Sequence, residues 1–214
     1  MIKAVLFDMD GTLIDTEKYL TVYKQQAMRE AGYRMSLEEA YALRSYASKF
    51  AVGLTKQWYG EDFDYAGIKQ RRRDLMEQHI KKYGIEKKPY VRETVIELKK
   101  RGYQVAVVTA TEEKKALEYL KMTGFLELFD EVISASMVEN GKPYPDVYLY
   151  ACERIGRDPK ECMAVEDSPN GVTSAWKAGC NVTLIPDLTR PDRESTERSD
   201  HICDNLKELL TILE

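Results

Sequence analysis

The chain is poor in the residues that build imidazole or thiolate metal centres. Two His, at positions 79 and 201, have no partner at metal-ligand spacing, and each reads as a surface or helix residue. The four Cys (152, 162, 180 and 203) form no CxxC pair, so a zinc site of that kind is not expected. Charge of one sign is missing too. Lys plus Arg is 32 against 36 Asp plus Glu, a net charge of −4. That balance gives no electrostatic reason to expect nucleic acid or an anionic membrane as the main partner. No apolar run approaches the roughly 20 residues of a spanning helix. The opening run, 2–7, is interrupted by Lys3, stopped by Asp8 and too short for a signal-peptide core. Four cysteines without such a signal read as reduced, mostly buried thiols, and the expected location is cytoplasmic.

What is present fits a folded α/β chain. Of the 214 residues, 43% are hydrophobic and 32% charged, enough for one large domain or one domain carrying a smaller insertion. Apolar runs at 2–7, 104–108, 162–165 and 181–185 lack polar alternation, as strands covered on both faces do, and 131–133 is a weaker fifth. Helical periods follow at 90–101, 112–122, 145–155 and 169–178, several closed by Gly. Strand–helix alternation of this kind predicts a doubly wound parallel sheet. From about 16 to 83 no buried strand is legible; Leu, Met and Ala recur at helical spacing among many Tyr and charged residues. The expectation is an all-helical cap, 16–83, inserted into an α/β core of 1–15 and 84–214. A closing helix is expected at 205–213, and the charged run 190–200 reads as a solvated loop.

Chemistry gathers in four loops. Asp8-Met9-Asp10-Gly11-Thr12 directly follows the first strand, at the carboxyl edge where parallel sheets bind ligands. Gly11 must turn the chain if both acids are to face one site. Two close carboxylates favour a hard cation with open positions, which suits Mg²⁺. Thr109-Ala110-Thr111 ends the second strand with hydroxyls and free N–H groups that can hold a phosphate. Gly141-Lys142-Pro143 limits backbone freedom around one lysine, and Glu166-Asp167-Ser168-Pro169 ends a third strand with two more acids before a helix. Alone, each loop has an ordinary explanation as a cap, a turn or a solvated side chain; the four in this order do not.

In order and spacing these motifs resemble the haloacid dehalogenase superfamily, over nearly the whole chain, and within it the β-phosphoglucomutase-like phosphatases with a small helical cap. The resemblance implies a Rossmann-like core and phosphoryl transfer, since members that cleave carbon–halogen bonds lack the second aspartate, here Asp10. It implies Asp8 as nucleophile and Asp10 as general acid and base. Mg²⁺ would be held by Asp8, the Asp10 backbone carbonyl and Asp167, with Glu166 close by. Thr109, the Ala110 N–H and Lys142 would hold the other phosphoryl oxygens. Two departures stand out: Leu20 occupies the place of the mutases' cap histidine, and 43–49 gives no clean match to their glycine-and-arginine loop, although Arg44 or Lys49 could serve. The expected function is Mg²⁺-dependent hydrolysis of a small sugar or polyol phosphate, by a monomer or weak homodimer. A phosphosugar mutase is the alternative, and a non-catalytic binder of phosphometabolites a third. In the cap, Arg71-Arg72-Arg73 reads as a solvated helix face, and Tyr19, Tyr23, Tyr46 and Trp58 as packing or pocket residues.

Overall fold

A computed structural model describes residues 1–213. Six parallel strands form one sheet: β1 (Ala4–Phe7), β2 (Gln104–Thr109), β3 (Glu131–Ser134), β4 (Cys162–Glu166), β5 (Asn181–Leu184) and β6 (His201–Ile202), in the order β3-β2-β1-β4-β5-β6. All residues of β1 and β4 are buried, which is why their sequences read as unbroken apolar runs. Alternate residues feed different faces. Val5, Phe7, Val105, Val107 and Val165 pack one cluster, whereas Ala4, Leu6, Ala106, Val108 and Ala164 pack the other.

The helices are α1 (Glu17–Glu30), α2 (Leu37–Ala42), α3 (Ser48–Tyr59), α4 (Tyr65–Tyr83), α5 (Val91–Lys100), α6 (Glu113–Thr123), α7 (Asp146–Arg154), α8 (Pro169–Ala178), α9 (Arg193–Glu197) and α10 (Leu209–Ile212). The first cluster takes in Val95 of α5 and Leu120 of α6, and the second Val147 of α7 and Val172 of α8. The sheet is thus sandwiched, and β1 lies between β2 and β4. Its loop therefore opens at the point where successive connections leave to opposite sides of the sheet.

Between β1 and α5 the chain is helical. Helices α1–α4 share a small cluster of their own, with Met28, Met35, Ala40, Phe63 and Ile68 at its centre and Trp58 against it. Ser36 and Glu39 close a reciprocal capping box on α2, and Asp64 accepts from Gly67 N–H to start α4. Tyr19, Tyr23, Met76 and Ile80 pack against the first sheet cluster instead, so one end of α1 and of α4 is seated on the core. His79 is a helix residue held by Tyr23: the Tyr23 hydroxyl and His79 Nδ1 are 2.9 Å apart.

Three expectations change. The charged run 190–200 contains α9, capped when Asp192 accepts from Ser195 N–H at 2.7 Å, so it is not simply a solvated loop. The closing segment is a short 3-10 turn leading into four residues of α10. Arg71, Arg72 and Arg73 do not share one solvated face, because successive helical residues point about 100° apart. Arg71 pairs with Glu30 at 2.6 Å and Arg73 with Glu112 at 3.2 Å, while Arg72 is half-buried. All four cysteines are buried and unbridged. Among the described residues no helix is long and apolar enough to cross a membrane.

Candidate active site

The site begins where β1 runs out. Asp8 N–H donates to Val165 O on β4, which extends the sheet by one residue and buries Asp8 at its edge. Gly11 then turns the chain at φ +92°, a conformation that L side chains rarely adopt. A Cβ there would also collide with the Asp167 carboxylate. Gly171, in the first turn of α8, is required for a related reason: the Glu166 carboxylate lies where its Cβ would be.

Lys142 is wholly buried, and each of its N–H donors is used. It donates to Asp8 Oδ1 at 2.5 Å, to Glu166 Oε1 at 2.6 Å and to Val108 O at 3.0 Å. Burial alone would lower its pKa; the Asp8 and Glu166 carboxylates outweigh that and raise it, so the ammonium stays charged. The same burial pushes Asp8 and Asp167 upward, opposed by Lys142 at Asp8 and by Arg44 at Asp167. Tyr148 OH donates to Glu166 Oε1 at 2.5 Å.

These contacts engage one oxygen of each acid and leave the other. Asp8 Oδ2, Glu166 Oε2 and Asp167 Oδ1 are buried without a hydrogen-bond partner. Buried carboxylate oxygens without partners are costly. Asp8, Glu166 and Asp167 also lie close enough to share one ion, each offering a carboxylate oxygen within 4.8 Å of the others. An all-oxygen donor set of this kind fits a hard divalent cation.

The Asp10 carboxylate is held apart from that trio. Thr16 Oγ1 donates to its Oδ1 at 2.5 Å and Thr111 Oγ1 to its Oδ2 at 2.7 Å. Burial raises its pKa although both hydroxyls pull the other way. Ala110 and Thr111 line the same cavity as Asp8 and Asp10. Thr109 is buried at the strand end, where its hydroxyl oxygen accepts from Thr111 N–H at 3.0 Å. The four loops therefore meet at one edge of the sheet.

Several partners had no signal in the sequence. Thr16, Thr111 and Tyr148 are ordinary residues until the fold brings them to the acids. Arg44, in the 43–49 loop, is buried and donates through Nη2 to the Asp167 carboxylate and, at 3.0 Å, to the Asp167 carbonyl. Its loop is pinned to the core as well: Asn170 Nδ2 donates to Arg44 O at 2.7 Å, and Ala47 N–H to Lys142 O at 3.0 Å.

Residues 5–185 match the family model of haloacid dehalogenase-like hydrolases. The chain belongs to this family. Among relatives of this hydrolase, a phosphoglycolate phosphatase from Nitrosospira multiformis is 32% identical, over 86% of the chain and 83% of that protein. A phosphorylated carbohydrates phosphatase from Thermotoga maritima is 30% identical, over 83% and 82% respectively. The crystal structure of CbbY from Rhodobacter sphaeroides in complex with phosphate superposes with a TM-score of 0.81 at 26% identity, covering 98% of this hydrolase and 96% of CbbY.

Proposed function

We propose that this hydrolase is a Mg²⁺-dependent phosphomonoesterase that cleaves a small organic phosphate through an aspartyl-phosphate on Asp8. The observation that carries the reading is the charge pattern at the edge of β1. One buried ammonium spans Asp8 and Glu166, and an unpartnered Asp8 oxygen faces the shared acidic pocket.

In this mechanism Asp8 Oδ2 attacks phosphorus in line with the ester oxygen; the O–P bond to Asp8 forms as the bond to the leaving alkoxide breaks. Asp10, whose carboxyl is pushed upward by burial, gives the alkoxide its proton. Thr16 and Thr111 fix the direction of that proton, and their hydroxyls can turn from donor to acceptor as Asp10 changes state. Asp10 then takes a proton from water as the water attacks the aspartyl-phosphate and frees Asp8 and inorganic phosphate. Lys142, the Ala110 N–H and Thr109 hold the remaining phosphoryl oxygens. Asp8, Asp167, the Asp10 carbonyl and Glu166 would hold Mg²⁺, whose charge offsets the repulsion between Asp8 and a phosphate dianion. Residues 16–83 act as the cap and 1–15 with 84–214 as the catalytic core, the cap excluding bulk water during transfer.

Phosphate release from p-nitrophenyl phosphate and from small sugar or polyol phosphates, followed with Mg²⁺ and with EDTA, tests the reading. Turnover should require Mg²⁺, and ³¹P NMR should show free phosphate rather than an isomerised ester. An Asp8→Asn protein with full activity sinks the mechanism.

A further inference from the structure

The cavity above Asp8 and Asp10 has a volume of ≈ 580 Å³, with the sheet edge on one side and helices α1–α4 on the other; Lys24 and Arg72 stand in that helical wall. Between α2 and α3 the wall touches the core, and the loop there is tied to two motif loops at once. Ala47 N–H donates to Lys142 O at 3.0 Å. Asn170 Nδ2 donates to Arg44 O at 2.7 Å and to Ala42 O at 3.2 Å. Phe50, in the first turn of α3, stacks on Tyr144 with ring centroids 4.6 Å apart. Ser45 sits at φ +52°, a left-handed conformation that a non-glycine residue keeps only where its surroundings over-determine it.

This pinned loop delivers one side chain to the core. Arg44 is buried, and its Nη2 donates both to Asp167 Oδ2 and to the Asp167 carbonyl. Holding the backbone oxygen and one carboxylate oxygen from a single nitrogen fixes the rotation of the Asp167 side chain. The other oxygen, Oδ1, is buried and has no hydrogen-bond partner among the described residues. An ion pair made for packing alone would do better to engage both oxygens, as the guanidinium fork can. Asp167 is also one of the three acids that can share an ion. Carboxylates that ligate metals are themselves held by hydrogen bonds, and such partners are worth about 10–100-fold in metal affinity. Burial alone would lower the pKa of the Arg44 guanidinium; the Asp167, Glu17 and Asp187 carboxylates outweigh that and raise it. Arg44 therefore keeps two other acids facing it when Asp167 is shared with a cation.

We propose that Arg44 is a positioning residue of the cation site: seated on Asp167 by the α2–α3 loop, it presents Oδ1 to the ion, so that cation binding and docking of the helical layer on the core strengthen each other. The inference rests on the reading that Asp8, Glu166 and Asp167 hold Mg²⁺, and needs no turnover to be seen. Coupling of this kind is reciprocal: the factor by which docking tightens the ion is the factor by which the ion tightens docking.

Calorimetric titration of the wild-type protein with Mg²⁺ supplies the reference Kd. Arg44→Met should raise that Kd by about tenfold or more. Arg44→Lys, which returns a donor and a charge to Asp167, should recover part of the loss. Hydrogen exchange tests the converse on unaltered protein, and so stands whether or not Arg44→Met folds. The Ala47 amide, which joins the helical layer to Lys142 O, should exchange about tenfold more slowly in Mg²⁺ than in EDTA. Asp167→Asn should remove that difference. Mg²⁺ binding by Arg44→Met as tight as in the wild type, or tighter, overturns the inference and makes Arg44 a plain ion pair or a competitor of the ion. An Ala47 amide that Mg²⁺ leaves unchanged or speeds up overturns it equally. No Mg²⁺ binding by the wild type overturns the cation reading, and this inference with it. Absence of phosphate release with the coupling intact overturns the hydrolase reading alone.

Discussion

The two ends of the cavity handle charge in opposite ways. At the core end, Lys142 is tied to two carboxylates and a carbonyl, and Asp10 to two hydroxyls. At the end formed by the helices between β1 and α5, Lys24 and Arg72 lack a carboxylate partner at ion-pair distance among the described residues. The core end is compensated internally because phosphoryl transfer asks for the same fixed dipoles whatever the ester. The helical end is balanced more loosely, with Glu17 facing Lys24 and Arg72 without a direct ion pair.

The contrast can be broken most forcefully at Asp8. Asp8→Asn should lower kcat by about 10⁴-fold or more, the scale seen when a nucleophile is removed. Asp10→Asn should cost about 10²–10⁴-fold, and less with p-nitrophenyl phosphate, whose leaving group needs no proton. If both variants keep wild-type rates on sugar phosphates, the core end is not the catalytic end.

Lys142→Met tests whether compensation at the core end is structural as well as chemical. It leaves Asp8 and Glu166 buried without their cation, and should lower urea stability at pH 7 by about 3–5 kcal/mol. The deficit should shrink at acid pH, where Asp8, whose carboxyl is already pushed up by burial, becomes neutral. A loss independent of pH would mean that packing, not charge, is responsible.

Mg²⁺ should raise Tm by mass action, by an amount equivalent to about 2.7 kcal/mol at a hundredfold excess over Kd. Asp167→Asn should abolish most of that rise in differential scanning calorimetry with EDTA as reference. An undiminished rise would place the ion elsewhere.

The smallest effect, and the most diagnostic of the helical end, is a gain. Lys24 binds its proton less tightly folded, at about 7, than unfolded, near 10.4. Between those values the unfolded chain holds more protons, so stability rises with pH across the window, and the penalty is complete below it. Arg72, Arg44 and Glu17 are the charges that face it. Lys24→Met should therefore raise Tm at pH 6, by about 2–4 °C for each kcal/mol relieved, and the gain should fade toward pH 10. A lower Tm at pH 6 would show that the Lys24 hydrogen bond to Ala40 O outweighs the cost of burying its charge.

Much of the fold was legible because burial on both faces leaves no alternation. The runs at 104–108 and 162–165 fall within β2 and β4 for that reason. The two-residue β6 was missed: both residues are exposed and it carries no pattern. Helix α9 was missed because charged residues dominate it, and its cap, Asp192, is common in loops. The acids of the site were legible because they sit next to strands whose ends must converge. Thr16 lies 6 positions along the chain from Asp10 and Thr111 lies 101, and no local pattern pairs either with it.

The sequence by itself determined the doubly wound α/β architecture, the turn at Gly11 and the placing of Asp8, Asp10, Glu166 and Asp167 at strand ends, because hydrophobic period and strand-end position are local properties that constrain geometry; Lys142 follows no strand, and only the family resemblance implied its place. Only the tertiary structure decided which charges are satisfied. Helix rotation separates Arg72 from Arg71 and Arg73, and the approach of the 43–49 loop sets Arg44 on Asp167. Compensation depends on distances of a few ångströms between residues remote in the chain, and no spacing along the sequence encodes them.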